Sequence, residues 1–427
     1  MIVGIDASRA NRTHKSGTEW YSYYLIKYFA QLDKDNQFVL YTDHPLSADL
    51  ADLTDLSCSP QEKSDFHPQY DKDGYQTIKS PHHNFKAKVL RWPFSYFWTL
   101  GRLSLQMLFA KPDVLFVPAH GIPLIRPKKT VNTIHDVAFK REALLYEDNK
   151  LGPESSRGKR LLNFFIRLFT FNKYGANSTD YLDWSTVYSL KHSDKIITVS
   201  QFTRDEILKM YKCQEKKITA IQNGFNNLLY KKIGDEQKIS EVLNKYGITR
   251  PYLLYVGRLE KKKNTPLLLE AFVKLKHHYP DLTEKLVLIG DASFGSDEIK
   301  YIIHEFGLEN DVIMPGWTSE EDIPYIFNGA AAYILPSLHE GFGITILQAL
   351  ACGVPVAASD IPVLREIAGD AALFFNPHDK EEMAAVMEKI ITDRALRLGL
   401  IARGLKQASE FSWEKCARET LDYIIQP

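Results

Sequence analysis

The chain is short of cysteine, has no long apolar run and carries no net charge. Cys58, Cys213, Cys352 and Cys416 stand far apart among 427 residues, with no Cys-x-x-Cys pair and no Cys/His ligand spacing. Scattered thiols of this kind read as reduced side chains of a cytosolic protein and exclude a disulfide framework. No stretch reaches the roughly 18 uninterrupted apolar residues that a membrane-spanning helix requires. A candidate such as residues 94–109 is broken by Gly101 and Arg102. The start, MIVGIDASR, reads as an apolar strand with neither a charged leader nor a cleavable apolar core, so no secretory signal is expected. Lys+Arg and Asp+Glu both number 53, which removes any overall pull toward nucleic acid or anionic lipid. Solenoid-length repeats and low-complexity tracts are lacking too.

What is present is the balance of a soluble globular protein, 44% apolar and 25% charged, at a length that suggests two domains. Short β-rich runs alternate with helical patterns. Strands are expected at residues 2–5, 38–41, 114–117, 130–134 and 195–199, then at 252–256, 285–289, 312–314, 331–335 and 354–358. Most are continuous apolar runs, the mark of strands covered on both faces of a parallel sheet. Helices are expected at 19–32, 201–210, 265–277 and 345–352. The alternation predicts doubly wound α/β domains, and ten strands fit two sheets better than one. The Asn-rich turn QNGFNNLLYKK, residues 222–232, reads as the boundary. Ligands of such sheets bind beyond the carboxyl ends of the strands, which places the expected site in the cleft between two facing domains.

Two segments carry chemistry. In YVGRLEKKKNTPLLLEAF a buried strand ends, Gly257 turns the backbone, and Arg258 and Lys263 precede a helix. A planar guanidinium and a flexible ammonium beside a helix N-terminus make a clamp for a diphosphate, although a lysine run in a loop is more often simply solvated. In HEGFGITILQALACGVPVAASD, Glu340 stands before Gly341 and Gly343, which lie between a strand and a helix from about Thr345, with Ile344 and Thr345 themselves candidate ligand contacts. Glycine there admits a ligand to the backbone, and the helix start offers N–H groups to an anion. Gln348 follows eight residues after Glu340.

The ordered set GR-x4-K, PGW, PSLHEGFG and ALACGVPV resembles family 4 of the retaining, sugar-nucleotide-dependent glycosyltransferases, and the resemblance extends over nearly the whole chain. GIDASR with SGTEW is similar to that family's first strand and glycine loop. TIHD resembles its His-Asp dipeptide and ITVSQFTRDEI its Val-Ser segment. IQNGFN resembles the stretch before its second domain, with Gln222 and Asn226 departing from the pattern. FSWEKCARETL resembles its C-terminal helix that crosses back onto the first domain. The resemblance implies a GT-B fold of two Rossmann-like domains facing across a cleft. Residues 1–224 with 412–427 would bind acceptor, and residues 225–411 the nucleotide-sugar donor.

The resemblance also implies roles. Arg258 and Lys263 would hold the donor diphosphate, Glu340 would face the donor sugar, and Gly341, Phe342 and Gly343 would lie behind it. Gln348 takes the place of an acid that accepts hydrogen bonds from ribose. Gly17 would belong to a loop over the phosphates, His135 would lie near sugar and acceptor, and Gly316 and Trp317 would meet the base. By itself His135 reads more simply as a hydrogen-bonded residue at a strand end, and Asp136 as a cap. Cationic side chains and helix dipoles can neutralise a leaving group without metal. No Asp-x-Asp motif lies near these loops, so no metal and no cofactor beyond the donor substrate is expected.

The GIDASR and HEGFG segments most resemble mannosyltransferases, making GDP-mannose the first donor expectation. UDP-sugars with a soluble acceptor, and a non-catalytic sugar-nucleotide scaffold, remain alternatives. Residues 86–111 and 155–175 mix Lys and Arg with bulky apolar side chains at roughly helical spacing. Either they dock on a membrane bearing a lipid-linked acceptor, with Arg157, Lys159, Arg160 and Arg167 reaching headgroups, or they pack in the core. Residues 174–188 read as an insertion that shapes the acceptor pocket. The expected location is cytoplasmic, peripheral on the cytoplasmic face of the membrane, with no nucleic-acid partner.

Overall fold

The computed structural model describes residues 1–56, 66–93, 97–141, 156–169, 173–259, 261–290 and 296–426. Contact density divides the chain into two units, Met1–Asn223 with Trp413–Pro427, and Gly224–Ser412.

The first unit is built on β1 (Ile2–Asp6), β2 (Gln37–Thr42), β3 (Gln76–Thr77), β4 (Phe85–Val89), β5 (Val114–Val117), β6 (Lys129–Ile134), β7 (Lys195–Thr198) and β8 (Ile218–Ala220). They form one sheet in the order β3-β4-β2-β1-β5-β6-β7-β8, parallel throughout except for the β3–β4 pair. Val3, Ile5, Phe38, Leu40 and Val114–Val117 have essentially no exposed surface, as continuous apolar runs between two layers of helices require. β4 departs from the expectation of a helical segment at residues 86–111. Its sequence FKAKV alternates, burying Phe85 and Ala87 and leaving Lys86 and Lys88 outside over the Tyr75 ring. Period-two alternation beats the apparent helical spacing here. Only the end of that segment, Ser104–Phe109, is α-helical, and residues 94–96 lie outside those described.

Helix Gly17–Leu32 begins with a capping box, Ser16 and Glu19 satisfying each other's backbone N–H groups, and its packing partner is helix Trp413–Ile425. Trp413 stacks on Tyr24 at 5.3 Å between centroids and meets Tyr21 at 6.1 Å. A fully buried indole is worth roughly 3–5 kcal/mol against alanine, enough to fix the final helix on this unit. Residues 174–188 lead into helix Ser178–His192, capped by Asn177, and supply most of it.

The second unit holds β9 (Tyr252–Val256), β10 (Lys285–Ile289), β11 (Val312–Gly316), β12 (Ala332–Leu335), β13 (Val356–Ser359) and β14 (Ala372–Phe375). All pairs are parallel, in the order β11-β10-β9-β12-β13-β14. Numbered within the unit this is 3-2-1-4-5-6, the Rossmann order, and the direction of winding reverses between β9 and β12. The first sheet reverses in the same way between β1 and β5. Each reversal leaves a crevice at the carboxyl ends of two neighbouring strands, because the connections leave it on opposite sides. No helix among the described residues is long and apolar enough to cross a membrane.

Candidate active site

In the second unit the sequence-predicted residues gather at the reversal point. The chain leaves β9 through Gly257 and the exposed Arg258. The buried Tyr255 hydroxyl donates to the Arg258 carbonyl at 2.9 Å, and the Tyr333 hydroxyl of β12 donates to the Val256 carbonyl at 3.4 Å. Gly290, at the end of β10, lies against this turn. A Cβ there would sit 1.9 Å from the Gly257 carbonyl oxygen, so the loop can only pass a glycine. The turn then runs into Lys261–Lys263 and the helix Thr265–His278.

From β12 the chain passes Ser337 to Glu340. The Leu338 N–H donates to the Lys262 carbonyl at 2.9 Å, tying the two loops. Lys263 Nζ lies 2.6 Å from Glu340 Oε1, and the Ser337 hydroxyl donates to the same oxygen at 2.8 Å. Both side chains of the pair are nearly buried, 19% exposed for Lys263 and 12% for Glu340. Burial alone would raise the Glu340 carboxyl, but the charge and hydrogen bond of Lys263, with help from Ser337 and Lys262, outweigh it and hold the carboxyl below its ordinary value. Glu340 is therefore a carboxylate at neutral pH.

Gly341 and buried Phe342 follow, and Gly343, in the left-handed region with φ 91°, starts helix Ile344–Ala351. A Cβ on Gly343 would also strike Leu364 at 2.7 Å. Gln348 is half-buried on the last turns of that helix. Gly316 ends β11, and the Trp317 indole next to it is 72% exposed, an apolar plate at the carboxyl edge of the sheet. Among the described residues no group of three or more His, Cys, Asp or Glu side chains is gathered as a metal site.

His135 and Gly17 belong to the first unit. His135 follows β6, half-buried, with the Tyr21 ring edge-on at 5.0 Å and its Nε2 at 3.1 Å from the Pro118 carbonyl oxygen. Burial, reinforced by His120, pushes its imidazole down to about 4. The Asp136 side chain accepts from the Ala138 N–H at 3.4 Å, as a turn cap does. Gly17 opens its helix with nothing within 4 Å of where a Cβ would lie, so the chain's own packing does not demand glycine there. Near these residues, at the β1/β5 reversal, stands a polar group that the sequence reading did not single out. Asp6 is buried and accepts from the Ser8 and Thr99 hydroxyls, and Arg9 donates to Glu19 at 3.1 Å. Burial raises the Asp6 carboxyl despite the bonds from Ser8 and Thr99. Asp6 and Arg9 were visible in GIDASR only as parts of a strand-and-loop motif. Ser337, Gly290 and His120 had no signal beyond their places at strand ends.

Two doubly wound sheets, one bringing a cation–carboxylate pair to its reversal point, define an α/β protein with charge placed where such sheets take their ligands. Comparison with known proteins narrows this. The model of "Glycosyltransferase Family 4" matches residues 15–227 and that of "Glycosyl transferases group 1" residues 235–407. The chain is 32% identical to the O-antigen chain mannosyltransferase B of Escherichia coli, over 75% of this chain and 82% of that one. It is 25% identical to the O-antigen chain mannosyltransferase RfbU of Salmonella typhimurium, over 91% and 90% of the two chains. Among solved structures, the sucrose-phosphate synthase of Thermosynechococcus elongatus superposes with a TM-score of 0.68 at 17% identity, covering 99% of this chain and 98% of that one. The chain belongs to glycosyltransferase family 4. It has the GT-B fold and is an enzyme of the hexosyltransferase class.

Two outcomes are expected. Gly290→Ala should lower the unfolding free energy of the protein by about 3 kcal/mol through the clash with Gly257, while Gly17→Ala should stay within about 0.5 kcal/mol; urea titration of both variants checks the contrast. Glu340 has a folded value below its unfolded one, so its contribution to stability is complete above the unfolded value and fades as pH falls through the lower folded one. In Lys263→Met burial is opposed only by Ser337 and Lys262 and prevails, the sign reverses, and the variant should instead gain stability on acidification toward pH 5. Thermal melts of both proteins from pH 4 to pH 8 read this directly, and parallel curves would refute it.

Proposed function

We propose that the enzyme is a retaining, metal-independent glycosyltransferase that moves a hexose, mannose from GDP-mannose as the first assignment, to a glycan or lipid-linked glycan acceptor in cell-surface polysaccharide synthesis. The observation that carries the reading is the Lys263–Glu340 pair at the β9/β12 reversal, where a Rossmann sheet receives its nucleotide. The two O-antigen mannosyltransferase relatives support the sugar and the pathway class.

In this proposal Arg258 and Lys263 take the donor diphosphate, and the N-terminus of helix Ile344–Ala351, with the backbone of Gly341, Phe342 and Gly343, faces the sugar. Trp317 and Gly316 meet the base, Gln348 the ribose, Gly17 the phosphates, and His135 the sugar and acceptor hydroxyls. The bond between the anomeric carbon and the diphosphate oxygen breaks, and its electron pair leaves with the nucleotide, neutralised by the two cations. The acceptor oxygen attacks the same face, and its proton passes to a departing phosphate oxygen. Glu340 orients the sugar as a carboxylate and needs no proton of its own. Donor substrate is the only small molecule required.

Helix Ser156–Phe169 supports a peripheral location on the cytoplasmic face of the membrane. Arg160, Phe164, Arg167 and Leu168 recur at the helical period on one exposed face, with Phe164 60% and Leu168 57% accessible, while Asn163 on the inner side accepts from the Ala176 N–H. Cations beside exposed apolar side chains suit anionic headgroups over acyl chains. The side chain of Arg157 lies outside those described.

The donor is identified by nucleotide release from GDP-mannose, UDP-glucose and other sugar nucleotides with a glycan acceptor. Turnover is expected with GDP-mannose, and none with any donor would overturn the enzymatic assignment. Glu340→Gln should lower kcat roughly 100-fold, as loss of a transition-state contact does. Gln348→Glu should change donor KM by less than about tenfold, the worth of one exchanged hydrogen bond. Equal losses at both positions would refute the division of roles. Replacement of Arg157, Lys159 and Arg160 by Ser should weaken binding to phosphatidylserine vesicles by roughly 100-fold at low salt, at about 1 kcal/mol per cation. Unchanged binding would remove the membrane face.

A further inference from the structure

The loops after β5 and β6 are joined by two histidines, each bonding the backbone of the other's loop. His120, on the β5 loop, places Nε2 at 2.7 Å from the carbonyl oxygen of Asp136 on the β6 loop. His135, on the β6 loop, places Nε2 at 3.1 Å from the carbonyl oxygen of Pro118 on the β5 loop. The rings lie 6.3 Å apart between centroids and are inclined at 31°. A carbonyl oxygen only accepts, so both Nε2 atoms must carry hydrogen, and in each neutral ring Nδ1 is left as a lone pair.

The surroundings hold this arrangement. The His120 carbonyl accepts from the Ser189 hydroxyl at 2.6 Å and from the Asn132 side-chain amide at 3.3 Å, which anchors the β5 loop to helix Ser178–His192 and to β6. The His135 carbonyl accepts from the Thr203 hydroxyl at 3.5 Å. The charged and titratable groups that bear on the rings are Asp136 and Arg9 from the β1 loop on His120, and His120, Asp136, Glu19 from the first long helix and the edge-on Tyr21 ring on His135. Burial lowers both imidazoles, and each positive charge would disfavour a second one nearby.

We infer that His120 is a positioning residue, which by bonding the Asp136 carbonyl holds the β6 loop so that His135 stays a single Nε2–H tautomer presenting Nδ1 as a hydrogen-bond acceptor. This rests on the assignment of His135 to the sugar and acceptor hydroxyls. It deepens that assignment by stating its chemistry: at neutral pH His135 receives a hydroxyl hydrogen bond and donates none to substrate, its own N–H being spent on Pro118. A hydroxyl, not a phosphate or carboxylate, is the partner that such a nitrogen selects.

The test uses full-length protein labelled with 15N-histidine, with His135 assigned by its loss in His135→Ala. Long-range proton–nitrogen spectra at pH 7 should show His135 with a protonated Nε2 and an unprotonated Nδ1, unchanged down to about pH 5. His120→Gln, whose amide reaches as far and still donates, should keep that signature and keep turnover within threefold. His120→Leu should show averaged ring nitrogens for His135 and a kcat lower by roughly tenfold or more, with donor KM unchanged, as small misplacements near reacting groups cause. A wild-type His135 spectrum in His120→Leu overturns the inference, as does loss of the signature in His120→Gln. Full turnover in His135→Ala would overturn the catalytic placing of His135 alone, since the nitrogen spectra report the tautomer without any reaction.

Discussion

Lys263 and Glu340 hold each other at the one point in the second sheet where neighbouring strands lead their connections to opposite sides. The pair is expensive to assemble, because both groups have been taken largely out of water, and attraction at 2.6 Å compensates only if the geometry is kept. Much of the surrounding detail serves that geometry. The Tyr255 and Tyr333 hydroxyls fix the turn that carries Arg258, Gly290 lets the turn close against β10, and the Leu338–Lys262 bond locks the two loops together. Asn264 takes a left-handed conformation at the start of helix Thr265–His278 and donates to the Pro377 carbonyl, so the cation precedes a helix that is itself tied down.

The first unit meets the same topological constraint with different means. Its reversal point is polar but not cationic on balance: a buried Asp6 held by hydroxyls, an Arg9–Glu19 pair, and two neutral histidines. Such a surface offers hydrogen-bond acceptors and donors in mixed array, suited to sugar hydroxyls, where the second unit offers net positive charge suited to phosphate. The proposed division of labour between a hydroxyl-binding and a phosphate-binding unit would then have a source in side-chain chemistry.

Strands legible in the sequence were those whose apolar run is continuous and flanked by turns, such as YLLYV and VLFV, because burial on both faces leaves no other use for such runs. β4 was misread because two lysines between Phe85, Ala87 and Val89 mimic an amphipathic helix once the neighbouring apolar residues are counted with them. β8 and β14 are too short or too close to a helix to stand out. Within the candidate site, charged and glycine residues in ordered spacing were readable. Residues acting through geometry alone were not. Nothing in VLIG says that Gly290 must admit a carbonyl from another loop, and nothing in VPAHG says that His120 reaches across to Asp136.

The amide at Gln348 follows the same electrostatic reasoning. Its backbone carbonyl accepts from the Cys352 N–H as helix Ile344–Ala351 ends, so the side chain sits toward the negative end of the helix dipole. A carboxylate there would be opposed by the dipole and would add negative charge to the loop region whose cations already serve Glu340, the group held ionised by Lys263 with support from Lys262. An amide avoids both penalties and still offers one acceptor oxygen and two N–H donors. In the proposed mechanism the neighbour must be ionised and this position need only bond a hydroxyl, so glutamine is compatible with an intact site whose single carboxylate is Glu340.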